Sequence, residues 1–236
     1  MDIYRFVCQF ASLLALLLAC YPRILKLRRE RSLYRIPPKQ RKRQVDIRLI
    51  LDIRLLRFGI IPAIVSVCLY WLLRDFVPQL WLLAVLMAVN GLILYLPERF
   101  PQGNKDSRSL TALDGVGLGL FSGLSAVTGI SGIGCAAAYG KLRGGEGSYI
   151  MEMCLLLAIP VTVVMFIISG YIVVVGGVAM SAALFFKCLL CAVAAFVSAY
   201  YGIILMRFLA YRIGFSGFAY YCWSAALFSF ILYLML

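Results

Sequence analysis

Gly115-Val-Gly-Leu-Gly-Leu-Phe-Ser-Gly-Leu-Ser-Ala-Val-Thr-Gly-Ile-Ser-Gly-Ile-Gly-Cys-Ala-Ala-Ala-Tyr-Gly140 contains no charged residue and eight glycines, at 115, 117, 119, 123, 129, 132, 134 and 140. Such a run is apolar enough for a bilayer but too rich in glycine for an ordinary lipid-facing helix, because each glycine weakens a helix and lets another backbone approach closely. Gly129-Ile-Ser-Gly-Ile-Gly134 in its middle invites a break. Irregular backbone at membrane depth is tolerated only where protein or a water-filled cavity surrounds it. Lys141 and Arg143 follow at once, and the preceding stretch Pro97–Asp114 carries Arg99, Lys105 and Arg108, so both flanks belong on the same side. A re-entrant helical hairpin over residues 115–148, with its tip at Gly129–Gly134, meets both conditions. The competing reading is a straight packing helix, since Gly115, Gly119 and Gly123 have the small-xxx-small spacing.

The rest of the chain places this hairpin in a membrane. Of 236 residues 64% are apolar and only 14% charged, which excludes a water-soluble enzyme. Six apolar runs are long enough to span: Phe6–Tyr21, Phe58–Leu73, Pro78–Leu96, Met153–Val175, Ser181–Met206 and Ile213–Leu236. There is no histidine, so imidazole chemistry is absent from this sequence. The net charge of +13 is concentrated between Pro22 and Arg57, where thirteen Lys and Arg face only Glu30, Asp46 and Asp52. Beside apolar spans, such a run reads as cytoplasmic retention and attraction to anionic lipid rather than as a nucleic-acid site. Within it Pro37-Pro38 breaks any helix, while Val45–Arg57 has near-helical apolar spacing and reads as an interfacial helix leading into the bilayer. A secretory signal at the amino end is disfavoured, because the positive charges follow the first apolar run. With Arg74-Asp75 and Gly176-Gly177 as outer turns, twenty basic residues lie inside and Arg5 and Arg74 outside.

The expected architecture is therefore an all-α integral membrane protein of about six transmembrane helices plus one re-entrant hairpin, with both termini outside. Residues 1–96 form a first three-helix half containing the basic segment 22–57. Residues 97–114 form a cytoplasmic loop, 115–148 the hairpin, and 149–236 the second three-helix half. Three spans on each side of the hairpin give the halves opposite orientation, the layout of an inverted repeat. The eight cysteines lie in apolar stretches, where a thiol packs as a small hydrophobe, and Cys188-Leu-Leu-Cys191 has no second pair to suggest a metal or redox site.

Several segments resemble a known family in their order. Thr128-Gly-Ile-Ser-Gly-Ile-Gly134 and Met153-Cys-Leu-Leu-Leu-Ala-Ile-Pro160 are similar, at matching separation, to the P-G-x-S-R-S-G and F-S-F-L-L-x-I-P signatures of the bacterial undecaprenyl-diphosphate phosphatases, the bacitracin-resistance family. Gln9-Phe-Ala-Ser-Leu-Leu-Ala, Gly59-Ile-Ile-Pro-Ala and Arg212-Ile-Gly-Phe resemble further family segments, so the likeness extends over nearly the whole chain. It implies a bacterial cytoplasmic-membrane hydrolase that converts undecaprenyl diphosphate to undecaprenyl phosphate and phosphate, with magnesium or calcium as a possible cofactor. Gly129, Ser131 and Gly134 are then the substrate-binding positions and Ser131 the catalytic candidate. The family's motif arginine is Gly132 here and its second serine is Ile133. The family also carries an acidic, histidine-containing segment ahead of the helix that matches Phe6–Tyr21. A relative that binds or moves an isoprenoid phosphate lipid without hydrolysing it is the alternative, as is a partner subunit or homo-oligomer in which the glycine-rich face is an interface.

Overall fold

In a computed structural model the described residues are 2–35, 46–72, 80–100, 103–106, 108–126, 130–176, 182–212 and 216–235. These residues are largely α-helical, with one isolated β-bridge between Lys105 and Gly145. The helices are α1 (Asp2–Arg35), α2 (Ile47–Leu72), α3 (Leu80–Tyr95), α4 (Ala112–Gly123), α5 (Gly132–Leu142), α6 (Gly147–Val175), α7 (Ala182–Arg212) and α8 (Ser216–Met235). Single 3-10 turns follow α3, at Leu96–Arg99, and α4, at Leu124–Ala126.

Among the described residues, five helices are long and apolar enough to cross a membrane: α1, α3 with its 3-10 turn, α6, α7 and α8. The chain is a multi-pass all-α membrane protein. The remaining expected span, Phe58–Leu73, is the second part of α2, whose first part carries Arg48, Asp52, Arg54 and Arg57. The amphipathic stretch and the apolar stretch are thus one continuous helix. Pro37-Pro38, Arg74-Asp75 and Gly177 lie outside the described residues.

Three helices contain an interior proline, at Pro22, Pro62 and Pro160. The first changes the expected boundary, for α1 does not stop at Tyr21 but runs on through the basic residues to Arg35. A proline removes one intrahelical donor and crowds the preceding turn. Here the Arg207 guanidinium donates to the Ala19 carbonyl at 2.9 Å, supplying a partner for backbone in that turn. At Pro160 the Thr162 hydroxyl lies 2.6 Å from the Ala158 carbonyl and 3.0 Å from that of Ile159.

The core is centred on α6. Ile150, Met153, Cys154, Leu155 and Leu157 are fully buried there, with Leu118 of α4 and Cys20 of α1 beside them. The principal packing pairs among the six longer helices are α1 with α2, α6 and α7; α6 with α2 and α7; and α3 with α8. Exchanging α1, α2, α3 for α6, α7, α8 leaves that set of pairs unchanged. The two three-helix groups thus share the same list of packing partners, although the α1–α7 contact is more extensive than the α2–α6 contact.

Between these groups, α4 and α5 are antiparallel arms of a hairpin. Twelve residues of α4 and eleven of α5 give lengths of about 18 and 16 Å, against about 30 Å of hydrocarbon, so neither arm can span alone. The glycine spacing serves the packing role as well. α4 lies along α2, with Gly115 against the Leu55 carbonyl, Gly119 against Gly59, and Gly123 against Ser66 and Ala63. Lipid provides no hydrophobic drive for helices to associate, so this close backbone approach is what holds the hairpin to α2. The sequence presented a hairpin and a small-residue packing face as rivals; the structure contains both.

Candidate functional site

The base of the hairpin sits in a layer of ion pairs. Thr111 caps α4: its hydroxyl accepts from the Asp114 N–H at 3.4 Å, while Asp114 Oδ2 accepts from the Thr111 N–H at 2.8 Å. The other Asp114 oxygen accepts from Arg143 Nε at 2.5 Å, closing the two ends of the hairpin on each other. Lys141 pairs with Glu98 at 2.5 Å, and Lys105 Nζ donates to the Arg143 carbonyl at 2.9 Å. The turn between α5 and α6 uses Gly144 at φ +84°, a left-handed backbone that a side chain would strain.

Burial alone would raise the Asp114 carboxyl, but the Thr111 backbone and hydroxyl and the Arg143 guanidinium outweigh it and hold the group below the usual carboxylate range. Because the folded value is the lower one, the stabilisation is complete above the unfolded value of about 3.9 and is lost as pH falls through the folded value. Asp114→Asn is therefore expected to melt below wild type at neutral pH, with the gap closing as the pH drops under about 4. Thermal unfolding in detergent at several pH values measures this.

The tip of the hairpin is built around Ser131. Its backbone is extended (φ −88°, ψ 103°), and its hydroxyl oxygen accepts from the Gly134 N–H at 3.1 Å, making it the N-cap of α5. Gly132 lies so close to the end of α4 that a Cβ there would stand 2.3 Å from the Ser122 carbonyl oxygen. Phe121 of α4 stacks on Tyr139 of α5, with ring centroids 5.1 Å apart. Of the three residues singled out by the resemblance, Ser131 and Gly134 come together and Gly129 lies outside the described residues.

Asn90 of α3 is the partner that sequence reading missed. It is 4% exposed, and its Oδ1 accepts from the Ser131 N–H at 3.2 Å and from the Cys135 thiol at 3.7 Å. Its Nδ2 donates to Cys222 Sγ of α8 at 3.2 Å, so one side chain joins α3, the hairpin tip and α8. An amide inside an otherwise apolar span was the available signal, because an intramembrane polar group needs a partner. Next to it, Trp223 Nε1 donates to the Ala88 carbonyl at 3.2 Å.

Ser131, Gly134 and Asn90 are among the residues that line a cavity of about 370 Å³. The remaining walls are mainly apolar: Leu94, Met151, Leu205, Met206, Leu209, Phe218 and Tyr221, with Gly202 of α7 leaving open space. Among the described residues no carboxylate is hydrogen-bonded to Ser131. Glu152 pairs with Arg207 at 3.1 Å and Glu146 accepts from Ser148 at 2.7 Å. No group of three Asp, Glu or Cys side chains converges to hold a metal ion among the described residues, so no step is assigned to magnesium or calcium. All eight cysteines are free thiols, and Cys188 and Cys191 pack in α7.

The cavity is mainly apolar, with a hydroxyl and an amide beside the amino end of α5. The profile of the family described as bacitracin resistance protein BacA matches residues 1–228. The chain belongs to this family. Relatives of this BacA-family chain include an undecaprenyl-diphosphatase of Nocardioides, 28% identical over 117 residues, which are 48% of this chain and 43% of the relative. Undecaprenyl-diphosphatase 1 of Shouchella clausii is 28% identical over 150 residues, 63% of this chain and 54% of that protein. A third, from Clavibacter michiganensis, is 27% identical over 88 residues, 37% and 32% of the two chains. The BacA-family chain thus matches about a third to a half of the length of each relative.

Proposed function

We propose that this chain takes an isoprenoid diphosphate lipid, with its head at Ser131 and the start of its tail in the cavity between α3, α5, α7 and α8. The relatives' names indicate undecaprenyl diphosphate as the lipid and hydrolysis as the reaction. In that reaction a water oxygen attacks the terminal phosphorus and the bond to the bridging oxygen breaks. Undecaprenyl phosphate and inorganic phosphate leave, and the carrier returns to cell-wall synthesis in the bacterial cytoplasmic membrane. In this reading the basic end of the bundle faces inside and both termini outside, which the charge distribution supports.

The observation that carries the reading is the continuity of an apolar cavity with the capped hairpin tip. Ser131 Oγ spends an acceptor site on Gly134 and keeps its proton to donate to a phosphate oxygen. The amino end of α5 adds the positive end of a helix dipole at the same place. That engagement of Ser131 as a cap also favours a second reading, in which the lipid is bound or moved without being hydrolysed. A serine hydroxyl becomes a nucleophile only with a base or metal to activate it.

Phosphate release from undecaprenyl diphosphate by the purified protein, with and without magnesium or calcium, separates the two. Release that disappears in Ser131→Asn while the melting temperature holds would assign the hydroxyl, because Asn retains the capping oxygen. Ser131→Ala should lose both release and about 1 kcal/mol of stability. Binding without release in the wild type supports the second reading, and neither binding nor release overturns the site.

A further inference from the structure

The carboxyl-terminal turns of α1 and the amino-terminal turns of α2 enclose a groove of about 640 Å³, remote in sequence from Ser131. Arg31 and Arg35 line one wall and Arg54 and Arg57 the other. Spacings of four and three residues put each pair on one face of its helix. Several other cations at this end of the bundle are paired with carboxylates: Arg23 with Asp52, Lys141 with Glu98, Arg143 with Asp114, Arg207 with Glu152. Among the described residues the four groove arginines have no carboxylate partner. Glu30, their neighbour in sequence, is buried and accepts from the Asp46 N–H. Four guanidinium groups around one groove repel one another unless an anion lies between them.

The groove is not only basic. Ile50, Ile53, Phe58 and Ile61 line it as well, and from it an exposed apolar stripe of Phe58, Ile61, Val65 and Leu69 continues along α2. α1, about 51 Å long, exceeds the hydrocarbon thickness of about 30 Å, so its basic turns stand at the membrane surface. A free phosphate would use the arginines and leave the apolar stripe uncovered. The geometry points to a binding site for a membrane lipid with a net negative phosphate headgroup, held by paired guanidinium donors with an acyl chain lying along α2. The site is separate from the Ser131 cavity and does not depend on turnover there.

Native mass spectrometry of the purified full chain tests this, with phosphatidylglycerol or phosphatidylcholine added in detergent. Phosphatidylglycerol should be retained over phosphatidylcholine, and R31Q/R35Q and R54Q/R57Q should each weaken retention by about tenfold or more. R28Q/R29Q removes the same charge from α1 residues that do not line the groove, and should change retention less than about twofold. Equal loss in that control would mean general surface charge and overturn the site. Absence of a headgroup preference would do the same. Displacement of phosphatidylglycerol by an equal concentration of inorganic phosphate would make it a site for soluble anions and reject the lipid.

Discussion

Gly119→Ala is expected to prevent the hairpin from docking on α2, at a cost above about 4 kcal/mol, in the range reached only when a substitution meets something that cannot move. A Cβ at this position would stand 2.0 Å from the Gly59 carbonyl oxygen and within 3 Å of the Gly59 carbonyl carbon and Cα. All three are backbone atoms of another helix, so no rotamer change relieves the clash. Relief requires separating α4 from α2. Separation also loosens Gly115 from Leu55 and Gly123 from Ser66, since all three contacts lie along one seam. Intrinsic helix propensity acts in the opposite direction, favouring Ala over Gly by about 1 kcal/mol, so the sign of the result distinguishes packing from propensity. Gly202→Ala supplies the contrast. Nothing lies within 4 Å of its Cβ position on α7, and a gain of about 0.5–1 kcal/mol is expected there. Thermal unfolding in detergent should show Gly119→Ala far below wild type, or yield no monodisperse protein, with Gly202→Ala at or above wild type. Equal melting of the two variants would remove the seam as the hairpin's anchor.

Physical range decides which parts of this fold can be read from the sequence. That the glycine-rich run is interrupted, and that Gly115, Gly119 and Gly123 form a small-residue face, are local features visible as composition and spacing; the boundary is displaced, since Gly132–Gly134 already belong to α5 rather than to the break. The face that receives them, Gly59, Ala63 and Ser66, carries a similar small-residue spacing, but nothing local says that it meets α4. Asn90 shows the same boundary from another side. Its polarity inside an apolar span is a local signal, whereas its bonds to Ser131 and Cys222 join residues 41 and 132 positions away. Pro22 misled the reading of α1 because the proline rule is also local. The helix continues where Arg207, far along the chain, bonds backbone that the proline disturbs. The charges follow this pattern. Their segregation to one end of the bundle follows from counting, but the choice of Asp52 for Arg23 or of Asp114 for Arg143 belongs to the packing.

Asp52→Ala is expected to cost about 3 kcal/mol, although the residue is not among those that line the Ser131 cavity. The carboxylate is 1% exposed on α2 and accepts from Arg23 Nη2 of α1 at 2.7 Å and from the Tyr149 hydroxyl of α6 at 2.9 Å. One side chain therefore ties three helices together. Truncation leaves a half-buried phenol without this acceptor and a guanidinium whose Nε is already buried without a partner among the described residues. Removing one member of a buried pair typically costs about 3–5 kcal/mol, and the 29% exposure of the Arg23 side chain places this case at the lower end, because water reaches part of the released charge. Asp52→Asn should lose about 2 kcal/mol, since Oδ1 can still accept from Tyr149 while the charge pairing is gone. The double variant Arg23→Met/Asp52→Leu removes both charges and should be less destabilised than the sum of its single changes. Unfolding in mixed micelles measures wild type, Asp52→Ala, Asp52→Asn, the double variant and its two single variants on one scale. Strict additivity would mean that the two side chains act independently, and a small loss in Asp52→Ala would mean that α1, α2 and α6 are held by their apolar packing around Leu155 and Leu157 without this cross-link.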